Sequence, residues 1–272
     1  MTEHRSWSQL EQYSAELGGC AYRYYLARIE RVWKKPAAWL SMGSAVHSAA
    51  EVWEKSGRVM APEDVRQVFR DTYKAKTDEM LEETPNTKYW QWSGPYNGEQ
   101  DIPRRFKIGL EHVDRYLGWY EKHPEEVIWI TPDGTPAIEL GFSLDLGGVE
   151  VQGMLDQAVM KDPHSTSSGG IRHGEVVARD IKSGNKPGKV EQLSLAGVAI
   201  TEADPDTLPS KGDFLMTKSG YPTYPYDLIN VDVLTEKFVT MDTAVRAGDF
   251  PASPEDDKCR RCDVADSCRF KA

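Results

Sequence analysis

The sequence predicts an α/β chain: a mixed β-sheet with helices around it. Two observations carry this reading. Up to His123-Pro124, apolar residues recur at helical spacing; beyond it, short β-rich runs follow one another with turns between. The order is helices, a strand meander, a helix, more strands and a last helix, which suits one mixed sheet wrapped by helices. Residues 1–125 form the helical part, 126–247 the sheet-bearing core and 248–272 a cysteine-bearing tail, expected within one compact unit.

Each element has its own signal. Ser6 with Gln9 has capping-box spacing, and Trp7, Leu10, Tyr13 and Leu17 follow on one face. A second helix, about Met42 to Ser56, carries the stripe Met42, Ala45, Val46, Ala49, Val52 and Trp53. Pro62 opens a third, with Val65, Val68, Phe69 and Tyr73. A fourth, about Pro103 to Glu121, aligns Phe106, Leu110, Val113, Leu117 and Tyr120. Before it, "NTKYWQWSGPYNG" is a loop whose rings either pack back on the helices or stand free to stack on unpaired bases. The β-rich runs are "VIWI", "AIELGFSLDL", "VEVQGMLDQAVM" and "EVVARDIKS", with "PHSTSSGG" as a hairpin loop. A helix over about Lys189 to Glu202, strands over Phe214 to Thr217 and Tyr226 to Val233, and a helix over Leu234 to Ala247 complete the order.

Composition narrows the function. Hydrophobic residues make up 39% and charged residues 28% of the 272, an ordinary globular mix. There is no apolar run of about 18 residues to span a membrane. The start, "MTEHRSWSQLEQYS", lacks the apolar core of a signal peptide. A soluble, intracellular, cytoplasmic protein is expected, where clustered cysteines bind metal more often than they pair. The net charge of −10 argues against a general nucleic-acid binder held by phosphate neutralisation. An enzyme remains open, because basic residues cluster locally. Arg28, Arg31, Lys34 and Lys35 form one group, Arg104, Arg105 and Lys107 a second, and Lys258, Arg260, Arg261, Arg269 and Lys271 a third. Each group is equally well ordinary surface charge.

In "ARDIKSG", Asp180 and Lys182 are two apart, so on a strand they share a face while Ile181 points into the core. Alone this is an ion pair, and Asp256-Asp257-Lys258 matches the same D-x-K pattern without strand character. Context favours Asp180, which ends an apolar run. The preceding strand supplies Asp156 near its end, on the face opposite Val149, Val151, Gly153 and Leu155. Two buried carboxylates side by side require a proton or a cation between them. Mg²⁺ and Mn²⁺ take such oxygen ligands. His47 lies off its helix's apolar stripe, with Glu51 one turn on, and is a further candidate ligand.

The tail holds Cys259, Cys262 and Cys268; the fourth cysteine is Cys20. Thiolate sites for zinc or an iron–sulfur cluster usually take four ligands, so an all-sulfur site needs Cys20 and folds the tail back to the first helix. Across the 239 positions from Cys20 to Cys259 (259 − 20), such a link contributes about 4 kcal/mol or more in the chain-entropy account. Spacing does not separate zinc from [4Fe–4S].

"GSAVH", "GMLD", "RDIKSG" and "EQLSLAG", in that order, resemble the RecB-like branch of the PD-(D/E)XK nuclease superfamily. "SWSQLEQYSAELGGCAYRYYL" is similar to its N-terminal segment, and the likeness spans Ser6 to Cys268. The nearest kin would be CRISPR-associated iron–sulfur exonucleases, AddB-type nuclease domains and phage-encoded cousins. The resemblance implies a restriction-endonuclease-like PD-(D/E)XK core. His47, Asp156, Asp180 and the Ile181 carbonyl would be ligands of Mg²⁺ or Mn²⁺ and Lys182 the catalytic lysine. Gln192 would be the glutamine of a Q-x-x-x-Y motif, and Glu139 a weaker acidic candidate. Ala196 stands where that motif has tyrosine; Tyr221, Tyr224 or Tyr226 would have to replace it in space. The likeness also implies a [4Fe–4S] cluster on Cys20, Cys259, Cys262 and Cys268, with Arg260, Arg261 and Arg269 near DNA phosphates. The expected activity is a metal-dependent DNA exonuclease acting on single strands or ends. The alternative is a non-catalytic iron–sulfur or zinc DNA-binding or assembly factor with a vestigial centre.

Overall fold

The computed structural model describes residues 4–161 and 174–271; the loop "PHSTSSGG" lies outside the described residues. The chain forms two compact units drawn from interleaved segments. One comprises Ala37–Gly141 and Met154–Ile229, the other Met1–Pro36, Phe142–Gly153 and Asn230–Ala272.

The first unit is built on three long helices, Ala38–Lys55 (α3), Pro62–Glu83 (α4) and Gly98–Lys122 (α5). Their apolar stripes meet in one cluster that includes Ala45, Ala49, Phe69, Val113 and Tyr116. Small side chains let them approach closely: a Cβ on Gly109 would lie 2.2 Å from the Phe69 ring. α5 starts five residues before Pro103, because Asn97 and Gln100 make a reciprocal capping box there. Pro103 sits early in the helix, where the missing N–H costs one bond.

The unit's sheet is mixed. Glu126–Ile128 (β1) and Val176–Lys182 (β4) both run antiparallel to Val149–Lys161 (β3). Lys211–Met216 (β5) runs parallel to β4, with Tyr221–Pro222 (β6) and Tyr226–Asp227 (β7) antiparallel on its far side. Ile138–Leu146 (β2) pairs with β3. The two strands continue into the second unit, where Gly147 and Gly148 turn the chain at φ 66° and 82°. That two-residue turn needs positive φ at both positions, which glycine supplies without strain. Asp156 lies within β3, five residues before its end, and not near its end as the sequence suggests. The ladder to β4 runs only to Gln157; from there Asp156 takes the Ile181 N–H on its side chain at 2.8 Å.

One sheet face, carrying Ile181 and Leu215, packs on α3, α4 and α5. Arg179 shares that face, 1% exposed, with a two-pronged bond to Asp213 at 2.8 Å on each prong and a further bond to Glu126. The Tyr120 hydroxyl lies 3.2 Å from Arg179 and donates to Gln157 at 3.0 Å. The opposite face meets Val190–Ala203 (α6), which brings Gln192 to Asp180 and Lys182.

In the second unit, Trp7–Tyr13 (α1), Ala21–Tyr24 (α2) and a π turn at Tyr25–Ile29 are accompanied by Val231–Arg246 (α7) and Asp256–Arg260 (α8). Ser6 makes no side-chain cap; its Oγ lies 3.1 Å from Ser8 Oγ, and Gln9 is buried, accepting from the Tyr24 hydroxyl at 3.3 Å. The expected strand Tyr226 to Val233 shrinks to β7, since Asn230 caps the Asp232 N–H and starts α7. Arg5, 2% exposed, joins Asp242 at 2.6 Å.

Arg179→Met leaves Asp213 and Glu126 buried with no cation. It should lower stability by about 3–5 kcal/mol in chemical denaturation, as removal of one partner from a buried pair does. An unchanged midpoint would show the acids satisfied elsewhere.

Candidate active site

Three elements of the first unit build the site. α3 presents His47 on its outer stripe, β3 presents Asp156, and β2 presents Glu139 close to its start. His47 Nδ1 is 3.5 Å from Glu139 and 3.6 Å from Asp156. The three residues can each place one ligand atom within 4.8 Å of the others, the one such trio found among the described residues. Glu139 holds a backbone φ of 45°, a region a non-glycine residue enters at a cost of about 1–3 kcal/mol.

The other ring nitrogen, Nε2, lies 2.9 Å from the Ile181 carbonyl. The Asp156 carboxylate accepts from the Ile181 N–H. Both polar groups of one peptide position therefore face the same cluster. Beside it, Lys182 Nζ is 2.9 Å from Asp180 Oδ2 and donates to Gln192 Oε1 at 2.9 Å, while Gln192 Nε2 donates to the other Asp180 oxygen. Asp180 Oδ2 is buried against the Lys182 ammonium. His47, Glu139 and Asp156, with Asp180 alongside, form a carboxylate and imidazole donor set of the kind Mg²⁺ or Mn²⁺ accepts.

The electrostatics follow from burial. Burial alone would push His47 down, but Asp156, Glu139 and Asp180 outweigh it and raise the imidazole to about 9. Burial raises the Asp180 carboxyl, and the nearby Asp156 charge raises it further against the pull of Lys182. Burial also raises Asp156, offset in part by His47.

A family model of the PD-(D/E)XK nuclease superfamily matches residues 4–269. The chain belongs to this superfamily. Two curated relatives, each named Gene 69 protein, come from Mycobacterium phages D29 and L5. The first is 41% identical over 273 residues, covering 97% of this chain and 96% of its own length. The second is 40% identical over 292 residues, covering 97% and 95%. A crystal structure from Eubacterium rectale, named "Putative exonuclease", has 12% identity and a TM-score of 0.45, covering 99% of this chain and 88% of that one.

In this PD-(D/E)XK member, Asp180-Ile181-Lys182 forms the D-x-K strand, and Gln192 closes it from α6. Of the three tyrosines named for the place of the one absent at Ala196, Tyr224 is 94% exposed and Tyr221 packs on Trp119. Tyr226 packs on Phe214, 5.8 Å between ring centres, and the Lys182 ammonium lies 5.7 Å over that same Phe214 ring. Two residues that the sequence did not single out hold the strand end. The Thr217 backbone N–H donates to the Lys182 carbonyl at 3.0 Å, and its hydroxyl, 3.2 Å from that oxygen, meets His112 Nδ1 at 2.9 Å. Both are buried; no motif marks them.

The cysteines lie in the second unit, as free thiols. The tail does fold back on the Cys20 segment. Ser253 N–H donates to Cys20 Sγ at 3.5 Å, and Ser253 Oγ and Lys258 Nζ donate to the Gly19 carbonyl at 3.1 and 3.2 Å. Cys262 and Cys268 pack on Leu26, Ala27 and Val264. Burial pushes the Cys20 thiol up, but hydrogen bonds from the Ser253, Arg23 and Tyr22 backbones outweigh it and hold the thiol low. Burial raises the Cys262 thiol. Arg269 lies 5.5 Å over the Tyr22 ring, while Arg260 bonds Asp257 and Arg261 donates to the Asp257 carbonyl.

His112 gives a pH prediction. Burial and the charges of Arg115, Arg105 and Lys218 lower it to about 4, against about 6.5 unfolded. The folded state then binds fewer protons than the unfolded state between those values. Stability attributable to this residue is constant above pH 6.5 and is lost as pH falls toward 4. His112→Asn should flatten that slope in urea titrations from pH 7.5 to 4.5; identical slopes for the two proteins would show His112 free to charge in the fold.

Proposed function

We propose that this chain is a divalent-metal-dependent deoxyribonuclease, an exonuclease that hydrolyses phosphodiester bonds in single-stranded DNA or at DNA ends. One observation carries the reading: His47, Glu139 and Asp156 converge beside the Asp180–Lys182 pair. His47, Asp156, Asp180 and the Ile181 carbonyl would hold Mg²⁺ or Mn²⁺, with Glu139 as a fifth donor. When bound, that ion supplies Lewis-acid polarisation of the phosphate and a lowered pKa for attacking water.

The chain's own groups do the rest. Lys182, held between Asp180 and Gln192, keeps a fixed positive charge where the phosphate's negative charge grows. Its geometry is set before substrate arrives, so no reorganisation is needed. Gln192 spans the acid and the amine and fixes their separation. Hydrolysis forms a bond from water oxygen to phosphorus and breaks the bond to one ester oxygen, which leaves as an alcohol after taking a proton.

For the tail, the reading is a structural [4Fe–4S] cluster on Cys20, Cys259, Cys262 and Cys268. What supports a thiolate site is the four cysteines themselves, with the tail that carries three of them hydrogen-bonded to the Cys20 segment through Ser253 and Lys258. The phage relatives fit an enzyme acting in a host cytoplasm, in recombination, repair or replication. No helix among the described residues is long and apolar enough to cross a membrane.

Asp180→Ala and Lys182→Ala should each lower Mg²⁺- or Mn²⁺-dependent degradation of end-labelled single-stranded DNA by on the order of 10²–10³, with the melting curve retained. Chelation should abolish it. Variants that cut as fast as wild type would remove these residues from the chemistry. Purified protein should also absorb broadly in the visible, and Cys20→Ser should bleach that absorption; a colourless, zinc-loaded protein would overturn the cluster.

A further inference from the structure

In the first unit, the loop before α5 carries rings in two different situations. Trp90 is buried, and its indole N–H donates to the Thr84 carbonyl at 3.0 Å. Its neighbours stand out: Tyr89 is 60% exposed, Trp92 61% and Tyr96 39%. Burying one ring of the run anchors the loop while its neighbours face solvent.

Two arginines on α5 set the charge among these rings. Asp101, fully buried, accepts from Arg104 at 2.8 Å and from Arg105 at 3.2 Å. The Arg104 guanidinium lies 4.5 Å over the Tyr96 ring. Arg105 also donates to Ser93 at 2.6 Å and lies 5.8 Å over Trp39, at the start of α3. The loop is thereby tied to the end of the helix that carries His47.

On α3, Leu40, Ser44, His47 and Glu51 recur at helical spacing on the outward side, with Leu40 51% exposed. From Leu40 this stripe runs seven residues, about 10 Å along the axis, to His47.

We propose that Tyr89, Trp92 and Tyr96, with Arg104 and Arg105, form a stacking platform for single-stranded DNA. It would seat unpaired bases near the start of α3, the helix that carries His47. The substrate class rests on the nuclease reading above. Unpaired bases offer flat faces to rings and guanidinium planes whatever their sequence. Charge here is mixed, with Lys88, Arg104 and Arg105 against Glu99 and Asp101, so stacking carries more of the binding than phosphate neutralisation does. Tyrosine, tryptophan and arginine also mark protein interfaces. A protein seated on this patch, however, would cover the stripe that leads to the site, whereas a strand follows it.

The test is equilibrium binding of fluorescein-labelled dT12 by anisotropy, in chelator, so that no cleavage intervenes. Trp92→Ala should weaken binding by about tenfold, Tyr89→Ala/Trp92→Ala by more, and Trp92→Phe should restore most of it. An abasic strand of the same length should bind wild type poorly. The exposed side chains make these truncations compatible with folding, checked by unchanged melting. The platform is overturned if the alanine variants bind within twofold of wild type. It is equally overturned if the abasic strand binds as tightly as dT12, or if the variants lose self-association instead of DNA. Trp92-dependent binding in a protein that degrades no DNA with either Mg²⁺ or Mn²⁺ would sink the nuclease reading and leave the platform standing.

Discussion

A guanidinium cannot be buried alone, and Arg179 is 1% exposed in the middle of the sheet. Its fork is met by Asp213 on the next strand, and its remaining N–H groups point at Glu126 and Tyr120. These partners fix the register: Gln157 opposite Arg179 on one side, Asp213 beside it on the other. A slip of one residue on β4 would turn Arg179 out of this cage and bring Asp180 into it, because side chains alternate. The same register places Asp180 and Lys182 on the opposite face, next to Asp156 and within reach of α6. The buried cation under the sheet thus determines where the reactive charges above it can be.

That arrangement stores cost at the site. Asp156 and Asp180 are both raised by burial, and Glu139 keeps a strained backbone. Proteins hold such strain where the surroundings over-determine it. Here the surroundings are the packed helices: Ile181 is locked in the α3–α5 core on one side of its peptide, while its N–H and carbonyl meet Asp156 and His47. Thr217 and His112 pin the next carbonyl along. Asp180 and Lys182 therefore ride on a strand held from both sides.

Much of this was legible from residues alone. The stripe from Met42 to Trp53 marked α3 because one side of the helix is buried, and its residues recur with the helical period. The D-x-K alternation placed Asp180 and Lys182 on one side. What the sequence hid were contacts made across long separations. Glu139 drew little weight, since its approach to His47 depends on a φ that no propensity encodes. The Ser6–Gln9 spacing misled because Gln9 was claimed by Tyr24, a partner from another helix. Asp156 looked terminal because its side chain, and not its backbone, continues the pairing to β4. His112 and Thr217 carry no motif at all; only packing reveals them.

An ordinary ion pair remains the simplest account of any Asp–Lys contact, so the distinction must come from charge balance. A structural pair stands alone, one carboxylate to one cation. Here Asp180 already has Lys182 and Gln192, and Glu139 and Asp156 add two further carboxylates within reach of a single imidazole. Three carboxylates against one ammonium leave two negative charges when the imidazole is neutral, the form in which it donates to a metal. Two charges are what one divalent ion brings. A proton on His47 offsets only one of them, and screening by water is weak for groups this buried. The protein has therefore assembled an electrostatic deficit of the size that one divalent cation would fill and that a plain salt bridge does not create.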